Sequence, residues 1–284
     1  MPLMTLFLLF LFISSFSGNL QASSAGAGEE NLRLLEIDLV SLLNPAGISF
    51  TARGYARHIY RHDKSPLWDG LYYQTGAQIR ITPAFSRAGI QIEWLPIKVV
   101  KLRAEYDRLY FSGNYGSLLS FTSNTAFFDD DDLEAREGEE ISAYGTRTAI
   151  QLTMRAKFDE IIIRNVIDFI RYEFPGNGPY YLERENELLM ATTDDVVSNQ
   201  LFILFEHKTK KGSRFYGPYH DYVHVDQSNL TRERLGVTWL QQYKKMLFGL
   251  QDPRWYIQSG IYLQDPNREG DGYLLLGVGG DIQF

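Results

Sequence analysis

The 284 residues contain no cysteine and only 5 histidines, and no apolar run among them is long enough to cross a bilayer as a helix. The absence of cysteine excludes a disulfide scaffold, a thiolate metal site and a lipid-modified amino-terminal Cys. The longest apolar stretches are Leu6 to Ile13, far short of the roughly 20 residues a helical span needs, and Ile161 to Ile170, which is broken by Arg164, Asn165 and Asp168. A chain of this kind enters a membrane only as strands. Positive charge is scarce too, with 28 Lys and Arg against 35 Asp and Glu. The stretch 129–140 alone holds eight acids against Arg136, so the rest of the chain is formally neutral. No basic face is left for nucleic acid.

What is abundant is alternation. Val100, Leu102, Ala104 and Tyr106 interleave with Lys101, Arg103, Glu105 and Asp107. Side chains of a strand point alternately to its two faces, so this segment has one face for lipid and one for water or paired charge. The same pattern recurs at 47–60, 71–81, 87–94 and 147–157, and further strands are expected at 161–174, 180–190, 196–207, 215–225, 232–243, 255–264 and 273–284. That makes about twelve, at the length and spacing of transmembrane β-barrels. A soluble sandwich would rarely set four charges in a row opposite four apolar residues. Aromatic residues are 14% of the chain, and Trp68, Tyr72, Tyr73, Trp94, Tyr110, Phe111, Tyr180, Tyr181, Trp255 and Tyr256 sit near strand ends, where interfacial girdles form.

In the last twelve residues, Leu274, Leu276, Val278, Ile282 and Phe284 share one parity, with Asp281 and Gln283 on the other. This resembles the C-terminal signature of Gram-negative outer-membrane β-barrel proteins, in which the final strand ends in an aromatic residue, although Gly280 interrupts the apolar row. The resemblance implies an all-β transmembrane antiparallel barrel of about 12 strands in the cell outer membrane. It also implies recognition of Val278, Ile282 and Phe284 by the barrel-assembly machinery, and contact with outer-membrane lipids and lipopolysaccharide. It names no activity.

Leu6 to Ile13 followed by small residues suits a secretory signal cut after Ala22, Ala25 or Ala27, although no Lys or Arg precedes it. The division that follows is a signal peptide at 1–25, a segment of uncertain structure at 26–46 and a barrel domain at 47–284. Numbering strands from Gly47 places the long segment 112–140 on the same side as the termini, where connections in these barrels are short. One strand is therefore missed or invented. Leu32 to Leu43 is the candidate, as a strand or as an amphipathic helix inside or below the barrel, ahead of the Asn44-Pro45-Ala46-Gly47 turn.

Candidate chemistry is thin. His220 and His224, four apart on one strand face, are about 13 Å from each other, too far to share a metal ion. They read as lumen-facing polar residues. A lipid-hydrolysing barrel needs a Ser beside a His oriented by Asn, Asp or Glu, and His62 with Ser65 is the nearest pairing in sequence. The acidic stretch lacks the spacing of a helix-loop-helix calcium site and reads as a solvated external loop. Lys208, Lys210, Lys211 and Arg214 form a smaller basic loop. No cofactor and no metal is expected. The inward parity predicts lumen charges at Arg53, Arg57, Arg80, Lys101, Arg103, Glu105, Asp107, Arg147, Arg155, Arg164 and Asp168, with Glu93 as a further partner, either lining a watery pore or filling it with salt bridges. The expected function is a passive, porin-like channel for small solutes. A lipid-modifying enzyme, or a structural or adhesive barrel acting through the acidic loop 112–140, is the alternative.

Overall fold

The alternation becomes the wall of a closed antiparallel barrel. In the computed structural model, which describes residues 30–246 and 250–283, the chain runs through β1 (Glu30–Leu43), β2 (Gly47–Arg61), β3 (Leu71–Ile81), β4 (Phe85–Ile97), β5 (Val100–Ser112) and β6 (Ser120–Phe121). It continues through α1 (Asp130–Ala135), β7 (Ser142–Phe158), β8 (Ile161–Glu173), β9 (Tyr180–Glu183), β10 (Leu188–Met190), β11 (Thr193–Thr209), β12 (Gly212–Val225), β13 (Leu230–Tyr243), β14 (Gln251–Gln264) and β15 (Gly272–Gln283). Twelve of these strands form the barrel, in the order β1-β15-β14-β13-β12-β11-β8-β7-β5-β4-β3-β2. The remaining three, β10-β9-β6, form a small separate sheet.

The expected count of twelve stands, but its membership changes. The segment from Glu30 to Leu43 is a full barrel strand, so the barrel begins there and not at Gly47. Its register with β2 runs from Glu30↔Ile59 to Leu42↔Gly47, and its register with β15 from Leu34↔Gln283 to Leu43↔Leu274. It closes the barrel by taking up both edges that would otherwise stay unpaired. A helix would have thrown away that double ladder. In exchange, the expected strand at 180–190 does not join the wall. It divides into β9 and β10 around a turn at 184–187 and folds inward.

This exchange corrects the topology. The connections at 62–70, 98–99, 159–160 and 210–211, and the step from Tyr243 to Gln251, now lie at the end where β1 starts and β15 stops, the terminal end. The connections at 44–46, 82–84, 113–141, 174–192, 226–229 and 265–271 lie at the opposite end, the cap end. The long segment therefore sits opposite the termini. Three of the terminal-end turns, at 98–99, 159–160 and 210–211, are two residues long, with Asp159 at φ 52° serving the one between β7 and β8.

Outward residues form an apolar belt that includes Ile90, Ile92, Ile150, Phe169, Val237 and Val278, all among the exposed large hydrophobic residues. A water-soluble surface does not carry apolar cover all the way round, whereas hydrocarbon requires it. Toward the terminal end the belt finishes in a continuous aromatic row. Phe205 stacks on Tyr216 at 6.0 Å, Tyr216 meets Trp239 at 6.4 Å, and Trp239 stacks on Trp255 at 6.5 Å. Trp94 Nε1 donates to Tyr60 Oη at 3.3 Å. Not every aromatic residue near a strand end belongs to a girdle. Tyr72 turns into the lumen onto Glu93, while Phe111 and Tyr181 are buried in the cap core.

Candidate functional site: a capped polar lumen

Inward parity gathers the charged side chains of most of the wall into linked clusters. Nearest the terminal end, Glu93 of β4 accepts from Arg103 Nη2 at 2.6 Å, Tyr72 Oη at 2.7 Å and Gln74 Nε2 at 3.2 Å, and Lys101 Nζ lies 3.0 Å away. Across the lumen, Arg254 of β14 contacts Glu36 and Asp38 of β1 at 2.9 Å each and Asp281 of β15 at 3.1 Å, while Arg53 adds to Glu36 and Asp38 at 3.5 Å. Midway along the axis, Arg147 Nη1 bridges Glu105 at 2.8 Å and Asp107 at 3.0 Å. Gly89 makes room for this pairing, since a Cβ there would lie 2.2 Å from Asp107 Oδ1. On the β11–β13 side, Asp221 holds Arg234 at 2.7 Å and Arg232 at 3.3 Å. Within these clusters each acid is met by at least one cation, the condition for keeping it ionised inside the tube.

The cap end is closed. The sheet β6-β9-β10 and the surrounding loops pack an apolar core of Leu118, Leu119, Tyr181, Leu182, Leu188, Leu189 and Met190 against wall residues including Leu109, Phe111, Tyr172 and Val196. Each such side chain contributes about 1.5–3 kcal/mol through burial, enough for the cap to be a folded element and not a loose loop. The acidic segment builds its outer part, where Asp129 caps α1 by accepting from Asp132 N at 2.8 Å. Arg136 stands over the Phe121 ring at 4.9 Å, fastening this helix to the sheet below.

The tip of the β9–β10 hairpin enters the lumen. Glu185 is clasped by Arg80 at 2.6 Å, by Arg87 at 2.9 Å and by Tyr172 Oη at 2.9 Å, with Arg147 Nε 3.9 Å away. On the other side of the same turn, Arg232 Nη1 donates to the Asn186 carbonyl, and Glu187 meets Arg184 at 2.9 Å and Arg268 at 3.4 Å. Burial alone would raise the Glu185 carboxyl, but Arg87, Arg80 and Arg147 outweigh it and hold it well below the usual carboxylate range. Its neighbour Glu183 moves the other way. Burial, then the Glu185 charge, push it upward although it accepts from the backbone N–H groups of Glu185 and Asn186.

Below the clasp, a cavity of about 410 Å³ opens toward the terminal end, lined by Glu36, Arg53, Tyr55, Arg57, Tyr72, Gln74, Glu93, Lys101, Arg103, Gln151, Arg164, Asp168 and Gln200 among others. Its size lies within the ordinary range of ligand pockets. The eleven charged residues read from the sequence all point inward, yet they do not make one ring. Arg57, Lys101, Arg103, Arg155 and Arg164 belong to the terminal side, Glu105, Asp107 and Arg147 to the middle, and Arg80 to the clasp, while Arg53 and Asp168 border the cavity. Val278 faces outward at 51% exposure, Ile282 pairs with Leu35, and both Phe284 and the 1–25 signal lie outside the described residues.

Sequence reasoning missed Glu36, Asp38, Arg87, Glu183, Glu185, Glu187, Asp221, Arg232, Arg234, Arg254 and Arg268. The apolar run Leu188-Leu189-Met190 interrupts the alternation, but Ile161-Ile162-Ile163 of β8 and Leu274-Leu275-Leu276 of β15 do the same within the wall, so nothing in the sequence marked the clasp. His220 and His224 also need correction. The inward residues of β12 are Tyr219, Asp221, Val223 and Val225, so both histidines face outward. His220 Nε2 lies 2.6 Å from Glu233, and His224 Nδ1 lies 3.1 Å from the Thr231 hydroxyl. Among the described residues no group of three His, Cys, Asp or Glu side chains is arranged to hold a metal ion.

No family model matches the sequence, and no curated protein matches it. Solved structures of similar outline include the β domain of the Bordetella autotransporter BrkA, at 9% identity over 89% of this chain and 99% of that one, with a TM-score of 0.44. An outer membrane channel from Pseudomonas putida F1 is 10% identical over 94% and 100% of the two chains, with a TM-score of 0.40. LpxR from Salmonella typhimurium is 9% identical over 87% and 99%, with a TM-score of 0.39. Likeness at this level specifies no activity.

Proposed function

We propose that this protein is an outer-membrane β-barrel of a Gram-negative cell, exported by the signal at 1–25, that acts as a passive channel for small solutes and rests with its external mouth closed. The observation that carries the reading is the joint presence of a polar, charge-lined cavity on the terminal side and a folded cap over it whose inward tip seats Glu185 among lumen arginines. A barrel serving only as a scaffold needs no solvent-reached polar space in its lumen. The apolar belt and aromatic row favour insertion in lipid with the cap outward, in contact with lipopolysaccharide, and assembly through the last strand.

The test is conductance in a planar bilayer, comparing the refolded full chain with a variant in which residues 176–190 are replaced by a short Gly-Ser turn. The full chain is expected to conduct rarely, and the variant steadily. Silence from both, with the variant shown to be folded, would refute the channel.

One observation favours a lipid-directed enzyme: the outward pair of His220 and Glu233 supplies a base and its orienting carboxylate. What it lacks is a nucleophile. Among the described residues no Ser hydroxyl is bonded to a His, and the hydroxyl that does meet one, Thr231 on His224, belongs to a histidine with no carboxylate partner. Phospholipid release by the same preparation, lost in His220→Ala, would move the reading there.

A further inference from the structure

The cavity is uneven in how its charges are satisfied. Glu36 and Glu93 are each held by cations, and Asp168 is held by Gln151 at 2.8 Å and Ser198 at 3.3 Å. Three of the nearby cations have no such partner among the described residues. Arg57 donates to the Gln74 side-chain oxygen at 2.7 Å and lies over the Tyr72 ring at 4.1 Å. Arg155 donates to the Lys98 carbonyl at 2.8 Å. Arg164 makes no ion pair or hydrogen bond among the described residues, with the Phe202 ring 5.8 Å from its guanidinium carbon and Glu36 and Asp168 acting on it only from a distance. Arg155 and Arg164 are directly opposed across the β7–β8 ladder, and like charges so placed repel unless an anion comes between them. Lys101 and Arg103 both lean on Glu93, Arg103 reaching Glu105 as well at 3.5 Å, so neither leaves a carboxylate free for these three. Guanidinium groups in this number, within reach of water and short of carboxylates, are the usual chemistry for holding an oxyanion.

Deeper along the same strands, toward the cap, the cavity has a different character. Gln151, Asp168 and Gln200 line it, and Asp168 lies four residues along β8 from Arg164, about 13 Å at the rise of a strand. An amide and carboxylate surface accepts hydroxyl donors. A ligand that uses both ends therefore carries an oxyanion at one end and hydroxyl groups at the other.

We propose that this cavity is a binding site for a small soluble oxyanion bearing hydroxyl groups, loaded from the compartment that holds the chain termini. The proposal deepens the channel reading by naming a solute class, yet it does not need the cap to open, because the cavity is reached from the terminal end with the clasp in place.

Titration calorimetry on the full chain refolded in detergent, with inorganic phosphate and glucose 6-phosphate as probes, tests it. Both are expected to bind, glucose 6-phosphate more tightly. The double variant Arg155→Gln/Arg164→Gln should weaken both by about tenfold or more. Asp168→Asn should erase the preference for the sugar phosphate while leaving phosphate unchanged. Arg171→Gln, exposed on the outer face, should change nothing. Retained resistance of each variant to unfolding by detergent at room temperature establishes that its barrel is intact. Absence of binding to the intact wild-type chain, or equal binding by the double variant, overturns the site. Binding without conductance from the cap-replaced variant leaves the site standing and removes the channel.

Discussion

The two ends of this barrel hold their charges in opposite ways. At the cap end Glu185 is enclosed by an apolar core and by three arginines, and each partner in the clasp depends on the others. At the terminal end Glu93 is the more buried of the two, at 2% exposure against 13% for Glu185, but it borders the open cavity with Lys101 and Arg103, and among the described residues Arg57, Arg155 and Arg164 beside them make no ion pair with a carboxylate. A charge network sealed from solvent acts as a latch, because losing one member leaves others buried and unmatched. A network open to solvent acts as a binding surface, because water or a solute replaces whatever is missing.

The largest consequence is expected from Glu185→Gln. It leaves Arg80, Arg87 and Arg147 facing a neutral amide in a closed space, and removal of one partner from such a group costs about 3 kcal/mol. Cap residues such as Leu188 and Leu189 should then exchange their amide hydrogens faster by about a hundredfold, while wall amides in β12 and β13 keep their protection. Equal loss in cap and wall would show that cap and barrel are one cooperative unit. The variant should also conduct more often than the parent in a bilayer.

Next in size is the dependence on pH. The Glu185 carboxyl is depressed in the folded cap, so its contribution is present above the ordinary carboxylate range and is lost as pH falls through its folded value. The Glu183 carboxyl is raised, so its contribution is complete at low pH and is lost as pH climbs from the ordinary range through its folded value. The cap should therefore be tightest in a mildly acidic window and loosen on both sides, by at most about 1.4 kcal/mol per pH unit for each group. Glu183→Gln should abolish the loosening on the alkaline side alone. Exchange or channel opening that ignores pH between 4 and 8 would remove Glu183 from the latch.

Nearly all of the wall was legible because a period of two leaves its mark on each strand independently. Lys101, Arg103, Glu105 and Asp107 could be placed inside with no knowledge of their neighbours, and they are inside. The cap was not legible for the same reason. Residues 180–190 carry Tyr, Leu and Glu in a pattern much like a wall strand, and what folds them inward is contact with Phe111, Tyr172 and the arginines of β3, β4 and β7, all remote in sequence. β1 was ambiguous on its own, since Leu35, Ile37 and Leu39 suit a strand or a short helix, and two free edges at β2 and β15 decide it. His220 shows the limit of parity itself. The odd residues of β12 face inward, and a phase error of one residue moves every side chain to the other face.

The smallest effects should come from the terminal end, and they sharpen the comparison because the direction matters more than the size. Glu93→Gln removes an acid more buried than Glu185, yet Lys101 and Arg103 can turn toward the cavity and its water, so the cost should be about 1 kcal/mol and the cap should stay protected from exchange. With one acid fewer, the lumen becomes more selective for anions. Lys101→Glu works the other way. It sets a second carboxylate beside Glu93 and leaves Arg103 and Arg164 as the local cations, so the permeability ratio measured from reversal potentials should move toward cations by a few-fold in the cap-replaced channel. A shift in the same direction for both variants would mean that these side chains act through barrel stability and not through the field in the lumen.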